Sequence, residues 1–256
     1  MQATGQTPLS TFNDGFTETL RIDNMAEMKV SVLIPAYNEA RTVKACLEAV
    51  YGRNPGRDLE LIVVDDGSSD GTYEAALASI RPGSKVLKHE KNAGKGAAIR
   101  TALAAAAGDV VLIQDADLEY DPADYAALLK PFEEGRAEVV YGSRNRVAEN
   151  GRSYSAYYWG GVFLSWWTNV LYGSSITDEA TCYKAFKMEL LRSLDLRCAG
   201  FEFCPEVTAK VLRRGLTIAE VPVSYQPRSI ADGKKIRWQD GVVHCWILLR
   251  LRWCPL

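Results

Sequence analysis

From Lys29 onward the chain alternates short apolar runs with longer segments of helical period. The run KVSVLIP, rich in β-branched residues and stopped by Pro35, predicts a strand, and Glu39 to Tyr51 follows with apolar residues at helical spacing. LELIVVDDGSSDG repeats the theme: a strand that ends on Asp65 and Asp66, a Gly/Ser turn, then a helix from Asp70 to Ile80. Ser84 to Lys88 predicts a third short strand. GKGAAIRTALAAAAG predicts an alanine-rich helix with Gly108 in the position after its last turn. Asp109 to Gln114 is again strand-like, Pro122 to Phe132 is a helix with its proline in the first turn, and AEVVYG closes the series. Nearly continuous apolar strands alternating with helices of about a dozen residues predict an open, mostly parallel α/β sheet covered by helices on both faces. The rhythm is firm over residues 29 to 142.

Beyond that the pattern changes. Between Arg152 and Asp178 no residue is charged, and the run SYSAYYWGGVFLSWWTNVLYGSSIT is dense in aromatics. About 20 apolar residues cross a bilayer, yet this run carries serines, threonines, Asn169 and three glycines, and its Trp and Tyr are scattered along it. Three readings stay open: a core helix, a membrane-surface contact, or a span. Short strands at TCYKAFK and TIAEVPVSY and helices near Met188–Leu194 and Pro205–Arg214 follow. The tail VVHCWILLRLRW is too short to span and embeds Arg250 and Arg252. The expected organisation is a flexible N-terminal extension over 1–28, a main domain over 29–238, and a basic amphipathic helix over 239–256.

A formal net charge of -2 sets up no global field toward nucleic acid. The charge is local instead: from Gln226 onward Arg228, Lys234, Lys235, Arg237, Arg250 and Arg252 face only Asp232 and Asp240. Six cysteines without a C-x-x-C pair, and no secretory apolar segment, point to reduced thiols in the cytosol. His89 and His244 stand far apart with no ligand-spaced neighbours, which argues against zinc.

Ligands of open α/β sheets bind beyond the carboxyl ends of the strands. Three such ends are polar here: Pro35 to Glu39, Asp65 to Gly67, and Asp115 to Glu119. In VVLIQDADLEY a strand finishes on Asp115, Asp117 and Glu119, two residues apart, and acids that close need a positive partner. Hard divalent cations take carboxylate oxygens together with substrate phosphates, so Mg²⁺ or Mn²⁺ is the expected cofactor. Asp117 is the expected contact, Asp115 reaches the ion or a ribose, and Glu119 completes the shell. Lys95, flanked by glycines at a helix start, suits a nucleotide or its phosphates. PAYNEA after the first strand is no dinucleotide fingerprint, and neither a P-loop nor a G-x-S-x-G elbow is present. Arg144 and Arg146 after the last strand of the series, and Arg228, Lys234 and Lys235 in a later loop, are candidates to clamp a second phosphate.

Together VSVLIPAYNEA, LIVVDDGSSDGT, KNAGKGAAIRTAL, LIQDADLEYDP and VVYGSR resemble the nucleotide-sugar domain of inverting family 2 glycosyltransferases. DEATCYKAFK, FEFCPEVTAKVLRRG and IAEVPVSYQPRSIADGKKI resemble the polyprenyl-phosphate branch, the dolichyl-phosphate mannosyltransferase-like enzymes. The resemblance implies a glycosyltransferase A type fold over residues 29 to about 238. It implies that Pro35, Tyr37 and Glu39 surround base and ribose, that Asp66 meets the base with Lys95 beside it, and that Asp115, Asp117 and Glu119 form the metal motif. Arg144 would face the phosphates, and Arg228 and Lys235 would form the basic loop. In the acceptor motif running from Asp178 to Lys184, Cys182 replaces a glycine and Lys184 an arginine, which keeps the charge and loses the bidentate fork. Glu206 matches an acid retained on the following helix.

A phosphate acceptor is already an anion near neutrality and needs cations, not a base. The chain offers Arg144, Lys184, Arg228 and Lys235. The implied reaction is inverting transfer of a hexose from a UDP- or GDP-sugar to a polyprenyl phosphate at the cytosolic face of a membrane, with or without a separate membrane protein holding the domain there. Transfer to a glycan or other hydroxyl is the alternative, with Asp178 or Glu179 as base.

Overall fold

The computed structural model of the chain describes residues 28–54, 56–148, 150, 155–228, 235 and 237–254. The extension expected over 1–28 lies, apart from Met28, outside the described residues, as does Lys234. Seven strands are described: β1 (Lys29–Ala36), β2 (Asp58–Asp65), β3 (Lys85–Lys88), β4 (Val110–Ile113), β5 (Val139–Ser143), β6 (Lys184–Lys187) and β7 (Ala219–Pro222). Between and after them run α1 (Val43–Gly52), α2 (Thr72–Ser79), α3 (Lys95–Ala105), α4 (Tyr125–Glu133), α5 (Ser155–Tyr172), α6 (Met188–Ser193), α7 (Phe203–Arg213) and α8 (Trp238–Trp253).

The strands form one sheet in the order β3–β2–β1–β4–β6–β5–β7. Pairing is parallel except at β6, which runs antiparallel to both β4 and β5. Val30, Val32, Leu33 and Ile34 of β1, Leu61 to Val64 of β2 and Val110 to Ile113 of β4 are all buried, as strands covered on both faces require. Register then fixes where the polar ends lie. Ala36 pairs with Asp65 and Leu33 with Ile113, so the residues after β1, β2 and β4 emerge on one edge. The chain leaves β1 toward β2 and β3 and later returns to β4 on β1's other side, which opens a crevice at that switch point.

The alanine-rich helix ends differently from expectation. It stops at Ala105 with Ala106 extended, and Gly108 is not its left-handed terminator. The reason lies under β1. Glu60, a buried acid, accepts from the Ala107 amide and from Ser31 Oγ (2.5 Å), while the Gly108 amide donates to Ser31 Oγ (2.9 Å). A Cβ on Gly108 would stand 2.7 Å from that hydroxyl, so glycine is there for close approach.

The uncharged aromatic run is helix α5, and one side of it is core. Leu164 joins Ala209 of α7 and Ile247, Leu248 and Leu251 of α8 in a second, smaller apolar cluster. Among the described residues no helix is long and apolar enough to cross a membrane. The C-terminal helix spans Trp238 to Trp253 and starts on a bond from the Arg237 amide to Asp240 (2.6 Å).

Candidate active site

The loop after β1 is built by its own polar residues. Asn38 sits at φ +50° with its amide on Ser68 Oγ (2.8 Å) and its side chain accepting from the Ser69 amide (3.0 Å). Asp70, just before α2, binds Thr72 Oγ1 and also the Ala40 amide (3.0 Å), tying the β1 and β2 loops together. The Glu39 amide donates to Thr72 Oγ1 (2.8 Å), which aims the Glu39 carboxylate inward.

Across from it, β4 runs out into Asp115, Asp117 and Glu119. Leu118 adopts φ +63°, a left-handed turn that bulky residues rarely take, and strain of this kind persists where the surroundings over-determine it. The turn sends Asp117 and Glu119 toward the same guanidinium. Arg228 meets Glu39 through two bonds (3.1 Å each) and Asp117 through a third (3.0 Å), and its amide donates to Glu119 (2.8 Å). Lys235 adds a bond to Glu39 (2.6 Å) and another to the Tyr37 carbonyl. Burial alone would raise the Glu39 carboxyl, but Arg228 and Lys235 outweigh it and hold its pKa below the usual value. Asp115 pairs separately with Lys95 (2.7 Å). Burial pulls the Lys95 ammonium down, yet Asp115 more than compensates and keeps it well above an ordinary lysine. Asp117 is the least neutralised acid: burial, then Asp115, then Glu119 push it up to about 7 against the pull of Arg228.

The three carboxylates expected to share one cation therefore do not converge in this structure. Among the described residues no three His, Cys, Asp or Glu side chains stand together as a cation cage. The cause is electrostatic, since Lys95 and Arg228 already stand among the acids. The donor set still suits a hard divalent ion, because Asp117 is a half-buried carboxylate with more negative than positive neighbours.

Asp66, expected at the base, is fully engaged. It accepts from the Ala93 and Gly94 amides (2.9 and 2.8 Å) and from His89 Nδ1 (2.7 Å), while His89 Nε2 meets Thr101 (2.9 Å). The glycines beside Lys95 also serve packing: a Cβ on Gly94 or Gly96 would strike the 198–200 backbone within 2.5 Å. Pro35 lies next to the end of β1 and Tyr37 just past it, partly exposed at the rim.

On the other side of the crevice, Arg144 follows β5. Asp178 holds it by Nε and by a terminal nitrogen (2.7 Å each) and by its amide (3.0 Å), and the guanidinium lies 5.0 Å over the Tyr225 ring. Asp178 is in turn fixed by a residue the sequence did not single out. Glu220 on β7 accepts from the Thr177 and Asp178 amides and from Arg146 (3.1 Å). Tyr225, also unforeseen, bridges the two halves by donating to Glu119 (2.9 Å). Next to this pair is a pocket of about 130 Å³ lined by Arg144, Asn150, Tyr157, Tyr158, Asp178 and Tyr225 among others.

Lys184 departs from expectation. It is fully buried on β6, its ammonium bonded to the Glu179 carbonyl (2.7 Å) and 3.6 Å over the Tyr141 ring, away from the pocket. Glu179 is equally buried, and Glu206 accepts from the Arg197 and Cys198 amides and Lys210, which makes it a loop anchor. His244 is buried in α8. The basic patch read from the tail divides: Arg228 and Lys235 enter the crevice, whereas Arg250 and Arg252 sit on α8.

The family model for glycosyl transferase family 2 matches residues 31–194. A UDP-N-acetylglucosamine–dolichyl-phosphate N-acetylglucosaminyltransferase of Methanococcus voltae is 30% identical over 89% of this chain and 98% of its own length. A dolichol-phosphate mannosyltransferase of Pyrococcus furiosus is 29% identical over 81% of this chain, which spans only 59% of that protein. Among solved structures, glucosyl-3-phosphoglycerate synthase of Mycobacterium tuberculosis, in complex with Mn²⁺, UDP-glucose and phosphoglyceric acid, superposes with a TM-score of 0.65 at 22% identity. That likeness covers 99% of this chain and 88% of that one, and it is one of fold.

Proposed function

The chain belongs to glycosyl transferase family 2, and from that premise we propose that it transfers a hexose, with inversion, from a UDP- or GDP-sugar to a polyprenyl phosphate at the cytosolic face of a membrane. The observation that carries the acceptor is the Arg144–Asp178 pair. Among the described residues lining that pocket, Asp178 is the one carboxylate and there is no histidine. Its oxygens are committed to Arg144, so it is poorly placed to take a proton from a hydroxyl. A phosphate monoester needs no base, only a cation to hold it.

Each side chain then has a task. Arg228 and Lys235, now bound to acids, turn to the donor diphosphate once it enters, and Lys95 keeps Asp115 oriented. Arg144 holds the acceptor phosphate, while Asp178 and Glu220 keep its guanidinium in place. Asp117, with Asp115 and Glu119, would hold Mg²⁺ or Mn²⁺. Such an ion offsets negative charge on a departing nucleoside diphosphate.

The test offers UDP- and GDP-hexoses with undecaprenyl or dolichyl phosphate and either metal. The expected product is chloroform-soluble and labile to mild acid; its absence with every donor sinks the proposal. A second reading has one specific support, the fold shared with a synthase crystallised with phosphoglyceric acid. A small phosphorylated hydroxy acid would also be drawn to Arg144, but its product would stay in water.

A further inference from the structure

Six large aromatic side chains stand in solvent on two neighbouring helices. Trp159, Phe163 and Trp166 of α5 and Trp238, Trp246 and Trp253 of α8 are each 49–75% exposed. On α5 they recur at i, i+4, i+7 and on α8 at i, i+8, i+15, so each set forms one stripe. The helices meet along a seam in which Trp167 donates to the Cys245 carbonyl (3.4 Å), Tyr172 to that of Leu248 (2.7 Å) and Arg252 to that of Leu171 (2.7 Å). From Trp167 and Cys245 the contacts move to later residues on both helices, Leu171 and Tyr172 on one and Leu248 and Arg252 on the other. The helices therefore run side by side in parallel. With that pairing, helical phase puts both stripes on the outer side of the seam, opposite Leu164, Ile247 and Leu251. Trp167 lies nearly parallel to Phe163 (9°) and extends the aromatic layer into the seam.

We infer that this two-helix face seats the protein on an anionic bilayer, with the helix axes in the plane of the membrane. Charge selects the occupant. α5 has no charged residue, and on α8 the single acid, Asp240, is turned to the Arg237 amide. That leaves Arg250 and Arg252 as the charges beside the stripe, Arg252 lying 4.9 Å over the Trp253 ring. Tryptophan with arginine suits the headgroup boundary, where indole rings settle and basic residues meet anionic lipid. Neither helix is fit to cross.

The inference rests on the acceptor reading for its purpose. Tyr157, Tyr158, Gly161 and Val162 of α5 line the pocket beside Arg144, so the helix that carries the first tryptophan stripe also forms a wall of that pocket. Seating the stripe on lipid keeps that pocket within one helix diameter, about 10 Å, of the headgroups from which a lipid-borne phosphate is presented.

Flotation of the full chain with vesicles tests this, using phosphatidylcholine alone or with phosphatidylglycerol as a third of the lipid. Partition into the anionic vesicles is expected to be about tenfold stronger and to weaken with salt. Trp159→Ser/Trp166→Ser/Trp246→Ser lowers it by about a hundredfold, with an unchanged far-UV spectrum and unchanged UDP affinity. Arg250→Glu/Arg252→Glu removes the preference for anionic lipid. A wild-type chain that floats with neither vesicle overturns the inference. So does a dimer in light scattering that the triple substitution dissociates, since a second copy would then cover the face. Transfer to a water-soluble short-chain prenyl phosphate separates the two claims: vesicle binding without product defeats the acceptor reading alone, and product without vesicle binding defeats the docking face alone.

Discussion

The two walls of the crevice handle charge in opposite ways. On the β1–β4 wall four carboxylates, Glu39, Asp115, Asp117 and Glu119, face three cations, Lys95, Arg228 and Lys235, and Arg228 is shared among three acids. On the β5–β7 wall Arg144 has Asp178 and Arg146 has Glu220, one acid to each base. The first wall is left with unneutralised charge and responds to what enters. The second is satisfied before anything enters and works as a fixed anchor. A metal-bearing donor suits the first wall, and a phosphate that must be held still suits the second.

The sharpest way to break that contrast is Asp117→Ala. Activity is expected to fall by about a thousandfold or more, and calorimetry should show that Mn²⁺ no longer strengthens UDP or GDP binding. Unaltered metal-linked affinity in this variant would mean that the acidic wall is not the donor side. Next in size comes Asp178→Asn, which leaves the Arg144 guanidinium short of its countercharge. Removing one member of a buried pair costs about 3 kcal/mol of stability. Because the proposed nucleotide contacts lie on the other wall, donor affinity should hold while acceptor KM rises. Glu220→Gln, one step further back, should show the same KM pattern more weakly, about tenfold. If donor affinity fell as much as acceptor affinity, the walls would not be independent.

The residual charge also has a sign that can be measured without substrate. Asp117 is pushed up to about 7, above its unfolded value, so the native state holds its proton more tightly than the unfolded chain does. The stability tied to that proton is complete below the unfolded pKa and is lost as pH rises through about 7. Asp117→Asn carries no charge at any pH. It should raise the Tm of the metal-free protein at pH 8, by on the order of 1–3 kcal/mol in stability, and change little at pH 4. A gain that is the same at both pH values would show that packing, not charge, is responsible.

How much of this could be read from the sequence follows the same division. β1, β2 and β4 announce themselves as apolar runs, and register delivers their polar ends to one edge, so Glu39, Asp115, Asp117 and Glu119 were legible as a group. Their partners were legible as phosphate-clamping cations but not as partners of these acids, because Arg228 reaches Asp117 across 111 positions and no local pattern encodes that pairing. Lys184 misled for a related reason. It occupies a motif position normally held by a longer fork, but β6 turns it into the sheet, and a buried carbonyl and a tyrosine face take its ammonium. Glu220 gave no signal, since a lone acid in a short edge strand looks like a solvated one until Thr177 and Asp178 pack over it. The aromatic run was ambiguous in sequence because α5 is core on one flank and exposed on the other.

The smallest expected effect bears on how the acidic wall stays poised. Leu118 stands between Asp117 and Glu119 at φ +63°, and it is 42% exposed, so only part of its side chain is packed to reward the conformation. Glycine takes this region without steric penalty, whereas leucine is strained there by about 1 kcal/mol. Leu118→Gly therefore relieves strain in the folded state and at the same time frees the unfolded chain, and the two terms oppose each other. The net change in unfolding free energy should be within about 0.5 kcal/mol of zero. Nucleotide affinity should weaken a few-fold, because the turn that aims both carboxylates at one point is no longer enforced. Leu118→Asn discriminates the causes. Asparagine tolerates the left-handed region while keeping a side chain, so it should preserve the affinity that glycine loses. Equal losses in both variants would assign the effect to the missing leucyl surface and leave the turn without a role in setting the wall.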